Sequence, residues 1–168
     1  CFDDTSQFVD LYFTEKYKNE NTLLYFDKGK AVASLQMLPY QFTFCGVEIS
    51  SFYVSGACTL PEYRGQGIMG KLLLAAFDVM QQRNIPISIL IPAEEWLYSY
   101  YARYGYETVF EKDESTVIDL KTILHKSKDM EHAYRLFKNM FQDKDFTVQK
   151  SRNDLNAIIK DAEMEGFS

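Results

Sequence analysis

Hydrophobic spacing changes character twice along the chain. Between residues 3 and 18, Phe8, Leu11 and Tyr12 recur at helical spacing behind Asp and Ser residues suited to capping. Alternating and β-rich segments follow. "NTLLYFD" reads as a strand, "DKGK" (27–30) as a tight turn and "AVASLQMLPYQFTFC" as a long strand with Pro39 at a bulge or edge. After a turn at Gly46, "VEISSFYVSGACTL" reads as one or two further strands. The antiparallel pattern stops at Pro61. From Ile68 to Arg83 the period becomes helical, with Met69, Leu72, Leu73, Ala76, Phe77 and Met80 on one face. "IPISILI" (85–91) is wholly apolar, as in a strand buried on both faces. "EEWLYSYYARY" (94–104) reads as a helix ended by Gly105, and "YETVFE" with "STVIDL" as a closing hairpin.

The pattern then changes again. Residues 129–141 put Met130, Ala133, Tyr134, Phe137, Met140 and Phe141 on one helical face. Ser151 and Asp154 form a capping box before Leu155, Ile158, Ile159 and Ala162. These two helices have no strands of their own. They either pack back on the first domain or open a module that the chain does not complete. The expected fold is therefore α+β: a mixed, mainly antiparallel twisted sheet flanked by helices over 1–120, with a helical extension over 121–168.

Composition narrows the function. The formal charge of −6 argues against broad nucleic-acid binding and suits a cationic substrate. No apolar run spans a bilayer, and no membrane partner is expected. Three cysteines at wide spacing imply neither a disulfide framework nor a metal site, and point to a reducing, cytoplasmic setting. Cys1 stands where Met usually does, which reads as a fragment ahead of a lipid-anchored terminus. Self-association is left open.

The candidate chemistry lies in "PEYRGQGIMGK". Gly65, Gly70 and Lys71 approach a phosphate loop, but Leu72 occupies the position of its metal-binding Ser or Thr. Gly65, Gly67 and Gly70 complete a dinucleotide fingerprint. Against a nicotinamide-dependent oxidoreductase stand the antiparallel strands before it and the four residues 61–64 between strand and glycine. A coenzyme A pyrophosphate uses every part: glycines for close approach, a helix N-terminus and Arg64.

"TLPEYRGQGIMGKLL" resembles the acyl-CoA motif R-x-x-G-x-G/A of the GNAT N-acetyltransferase superfamily, with Met69 in place of the last Gly/Ala. "YARYGYE" resembles its second hallmark, Y-x-x-x-G-[YF]. Together the two look most like the multidomain enhanced-intracellular-survival-type branch, in which a second GNAT-like module and a sterol-carrier-like domain follow. The resemblance implies acetyl-CoA as cosubstrate, no metal, and an amine acceptor, either a small molecule or a lysine. It places Ala57, Cys58, Thr59 and Leu60 beside the thioester and pantetheine. It places Arg64, Gly65, Gln66, Gly67, Ile68, Met69, Gly70 and Lys71 at the pyrophosphate. It makes Tyr101 the proton donor to the leaving thiolate. Cys58 reads as a small buried hydrophobe, not a nucleophile. No base is identifiable. Glu62, Glu94 and Glu95 are candidates for which capping or solvation is the plainer role, and the resembling branch uses a chain-terminal carboxylate. His125 and His132 read as surface residues, Arg103 as a helix-surface residue, and Trp96 as either acceptor-pocket wall or core. A non-catalytic acyl-CoA-binding or structural module is the alternative function.

Overall fold

The computed structural model describes residues 5–109, 119–164 and 166. These residues form two compact units, one holding 19–39 and 51–109, the other 5–18, 40–50 and 119–164.

In the first unit, β1 (Thr22–Asp27) lies antiparallel to β2 (Lys30–Phe44), Thr22 opposite Gln36 and Asp27 opposite Lys30. The connecting residues Lys28 and Gly29 are both left-handed, which matches the twist of the paired strands. β3 (Val47–Thr59) follows β2 through a second turn of the same hand at Cys45 and Gly46, which belong with residues 40–50 to the second unit. What reads in sequence as one or two strands is a single strand. α2 (Ile68–Gln82) then leads to β4 (Ile87–Ile89), which lies parallel to β3. α3 (Glu95–Ala102) closes the described part of this unit. The core joins sheet to helix through Val32, Leu35, Met37, Phe52, Leu72, Leu73 and Ala76. The α2 residues among them fall on the face that the helical period selects.

One expectation is overturned here. The apolar run 85–91 is not a strand buried on both faces. Only Ile87–Ile89 are paired, each is half-buried, and Ile91 is 74% exposed. Among the described residues β4 pairs only with β3, and only as far as Tyr53 opposite Ile89. Apolar composition here marks a strand that parts from its neighbour, which periodicity does not distinguish from a buried one. Of the expected closing hairpin, Tyr106–Val109 is irregular, Asp119 caps a helix and residues 110–118 lie outside the described residues.

The second unit contains α1 (Ser6–Glu15), α4 (Leu120–Lys126), α5 (Met130–Asn139), β5 (Thr147–Gln149) and α6 (Arg152–Met164). Leu120, Ile123, Ala133, Phe137, Leu155 and Ile159 form its core. The capping box at α6 is present, Ser151 N–H donating to Asp154 at 2.6 Å and Asp154 N–H to Ser151 Oγ at 3.2 Å. The sequence reading missed α4 and β5, each too short to show a period. β5 pairs with Gln41–Thr43 of β2. Pro39, which has no N–H to donate, therefore falls between the stretches of β2 that pair with β1 and with β5. No described helix is long and apolar enough to cross a membrane.

Candidate acyl-CoA site

Inside β3, Gly56 has φ +56°. A left-handed glycine within a strand marks a glycine bulge, which resets the alternation of the backbone groups beyond it. Beyond the bulge, Leu60 N–H donates to Val32 C=O of β2 at 2.9 Å. Thr59 C=O instead accepts from Arg64 Nε at 3.2 Å. Strand alternation then directs the Ala57 and Thr59 backbone groups to the edge away from β2. That is the edge along which β4 pairs only as far as Tyr53. The four residues 57–60 thus divide by parity. Cys58 and Leu60 face β2 with their backbone, and Ala57 and Thr59 face the parted edge. The Cys58 thiol lies 3.4 Å from Ser34 Oγ, a contact that fits a packed residue and not a nucleophile with a base.

The turn after β3 is built to leave room. Gly65 and Gly67 have φ +75° and +72°, and a Cβ on either meets nothing within 4 Å. Gly67 caps α2 without any side-chain hydrogen bond, and the first turn of α2 carries no acidic residue. A 15-residue helix therefore presents its positive end without an internal counter-charge. Arg64 braces the strand end through Thr59, and Gln66 Nε2 donates to Glu62 C=O at 3.3 Å. Lys71 sits 5.5 Å above the Tyr25 ring, while Ile68 is buried and Met69 packs against the same core.

Gly70 is a different case. A Cβ there lies 2.1 Å from Tyr104 Oη and 2.8 Å from Tyr104 Cζ. Its missing side chain serves contact between α2 and the end of α3, which explains why three glycines coincide with a dinucleotide fingerprint.

The end of α3 positions Tyr101. Tyr106 N–H donates to Tyr101 C=O at 3.4 Å, and Gly105 N–H to Ala102 C=O at 3.1 Å. With Gly105 at φ +88° this is a Schellman cap, whose flanking apolar pair is Tyr101 and Tyr106. Their rings meet edge-to-face, centroids 5.7 Å apart. Tyr101 is only 9% exposed. Burial, reinforced by the nearby Tyr53 phenol, raises its pKa and keeps it protonated. Tyr53 is the last β3 residue paired with β4, so Tyr101 lies near the point where the strands part.

Trp96 is 59% exposed, which removes the core reading. Its Nε1 donates to Glu94 Oε2 at 2.6 Å. Glu62 is exposed and pairs with Lys30 at 3.4 Å. Arg103 stays on its own helix, 5.4 Å over the Tyr100 ring. His125 is in the last turn of α4 and His132 caps locally, both in the second unit. The sequence reading gave no role to Gly56, Tyr53 or Ser88. Of these only Gly56, a lone glycine in a strand pattern, carried a signal.

The family model described as an acetyltransferase (GNAT) domain matches residues 1–109. The chain belongs to the GNAT acetyltransferase family. A relative from Streptomyces griseus, an uncharacterized N-acetyltransferase, is 27% identical over 82 residues, covering 48% of this chain and 19% of its own. A solved conserved protein of unknown function from Enterococcus faecalis shares the fold, with TM-score 0.54 and 20% identity over 64% of this chain and 27% of that one. So does a predicted acetyltransferase from Clostridium acetobutylicum, solved with acetyl-CoA, with TM-score 0.50 and 22% identity over 66% of this chain and 72% of that one. This GNAT chain spans about a fifth of the curated relative's length.

Proposed function

We propose that the first unit binds acetyl-CoA and passes its acetyl group to a primary amine, a small cationic amine or a lysine, by direct attack on the thioester. The observation that carries this reading is a buried phenol, kept protonated and within electrostatic reach of Tyr53, where the pairing of β3 with β4 ends. The turn fits the cosubstrate: open space at Gly65 and Gly67, with the uncapped α2 terminus facing it, suits a pyrophosphate.

In this reading the α2 N-terminus and Arg64 hold phosphates. Ala57 N–H, directed at the parted edge, stabilises negative charge developing on the carbonyl oxygen. As the neutral amine nitrogen bonds to the carbonyl carbon and the C–S bond breaks, Tyr101 gives its proton to the sulfur, the amine's surplus proton passes to solvent water, and the Tyr101 phenolate takes a proton back from solvent. The acidic balance of the chain favours a cationic acceptor. We also place the chain in the multidomain enhanced-intracellular-survival-type branch. The greater length of the curated relative supports this. The unpaired Cys45 and Cys58 support a reducing, cytoplasmic setting.

A second reading has one observation in its favour. Glu62 and Glu94, two of the carboxylates nearest the motifs in sequence, are engaged by Lys30 and Trp96. That suits an acyl-CoA-binding module without a base of its own.

Titration calorimetry with acetyl-CoA and with NAD, then thiol release over an amine panel, separates these readings. Acetyl-CoA binds and NAD does not. Thiol release with at least one amine supports transfer, and release with none favours the binding module. Gly67→Asp abolishes acetyl-CoA binding while the fold survives with a modestly lower Tm, because the left-handed backbone strains the new residue although its Cβ has room. Retained binding refutes the placement of the pyrophosphate. Tyr101→Phe lowers kcat about a hundredfold and leaves affinity unchanged.

A further inference from the structure

We propose that Tyr106 and Ser88 form a clamp that fixes the Tyr101 phenol, making Tyr106 a positioning residue for the transfer. The inference rests on the reading of Tyr101 as proton donor.

Tyr106 is held from three sides. Its backbone completes the Schellman cap by returning to Tyr101 C=O. Its ring lies against Tyr101 on one side and against Phe77 of α2 on another, with centroids 5.7 Å and 5.8 Å away. Its hydroxyl shares a 2.6 Å hydrogen bond with Ser88 Oγ on β4. Ser88 stands opposite Phe52, a fully buried residue of β3, so the bond is anchored in the rigid part of the sheet.

The hydroxyl is the informative part. Phenylalanine fills the same space and makes the same ring contacts. A half-buried phenol adds a desolvation cost that only a partner offsets, and Ser88 is that partner. Locking the Tyr106 ring to β4 removes its freedom to rotate or slide. Its locked ring then walls one side of Tyr101. A side chain with two soft torsions becomes confined to one orientation, as proton transfer requires.

The test uses [13C]tyrosine-labelled protein, with the Tyr101 ring signal identified by its loss in Tyr101→Phe. Tyr106→Phe keeps the ring and removes the hydroxyl. The expected result is a shifted, broadened Tyr101 signal and unchanged acetyl-CoA affinity. A kcat lower by about tenfold accompanies it, within the roughly hundredfold that a misplacement of about 1 Å costs. Ser88→Ala does the same, and the double variant adds nothing further. An unchanged Tyr101 signal in Tyr106→Phe overturns the clamp whatever the rates. Equal losses of affinity and kcat indicate general loosening and also overturn it. A normal rate in Tyr101→Phe sinks the acid reading instead, and the ring signal then decides the clamp alone.

Discussion

Gly67 and Gly70 are three residues apart in one motif, yet they are glycines for different reasons. Gly67 needs a left-handed backbone and open space before it, whereas Gly70 is helical and needs an absent Cβ against Tyr104. The difference is measurable. Alanine ordinarily stabilises a helix by about 1 kcal/mol over glycine. At Gly70 the added methyl forces the Tyr104 ring aside, and overpacking of this kind costs about 1–3 kcal/mol. Gly70→Ala therefore lowers the unfolding free energy in a denaturant titration. Combining it with Tyr104→Ala costs less than the sum of the two single changes. A rise in stability for Gly70→Ala alone refutes the close approach. The residue type was legible in the sequence and its purpose was not, because the partner lies 34 positions away.

At the scale of elements, α2 and the end of α3 were readable from the apolar period and from Gly105. The sequence shows Y-x-x-x-G-Y only as spacing, whereas the structure shows it as a helix cap that pairs two rings. Gly105→Ala strains the left-handed position and costs about 1 kcal/mol. Spreading that strain into the Tyr101 carbonyl, it lowers kcat more than acetyl-CoA affinity. Thiol release measured beside calorimetry checks the split. β4 was misread for a physical reason: a strand that leaves its neighbour keeps its apolar residues, since they still pack inward over part of their surface. Parting of strands is a property of pairing, and no single segment encodes it.

At the scale of the molecule, the two units respond to opposite ends of the pH range. In the first unit, burial raises the phenols of Tyr53, Tyr101 and Tyr106 above their ordinary value, with further contributions at Tyr101 and Tyr106. Their stabilising contribution is complete below about pH 10 and is lost as pH rises through the higher folded values. In the second unit, burial raises the Asp154 carboxyl, but hydrogen bonds from Lys16 and Ser151 outweigh it and leave the pKa lowered. Tyr40 Oη adds a hydrogen bond at 3.2 Å. That contribution is present above about pH 4 and is lost as pH falls through the folded value. Hydrogen exchange then shows α6 opening first in acid and α3 first in alkali. Asp154→Asn flattens the acid limb alone. Uniform opening at both extremes refutes the assignment.

The bulge at Gly56 makes the candidate site a matter of counting. Which amides look toward the parted edge depends on whether a position is odd or even after the bulge, and hardly on what side chain it bears. An alanine scan passes over such a site, since Ala57 is already alanine. Deleting Ala57 turns Cys58 and Leu60 outward and Thr59 toward β2. Recognition written in the main chain tolerates wide substitution and very little change in length.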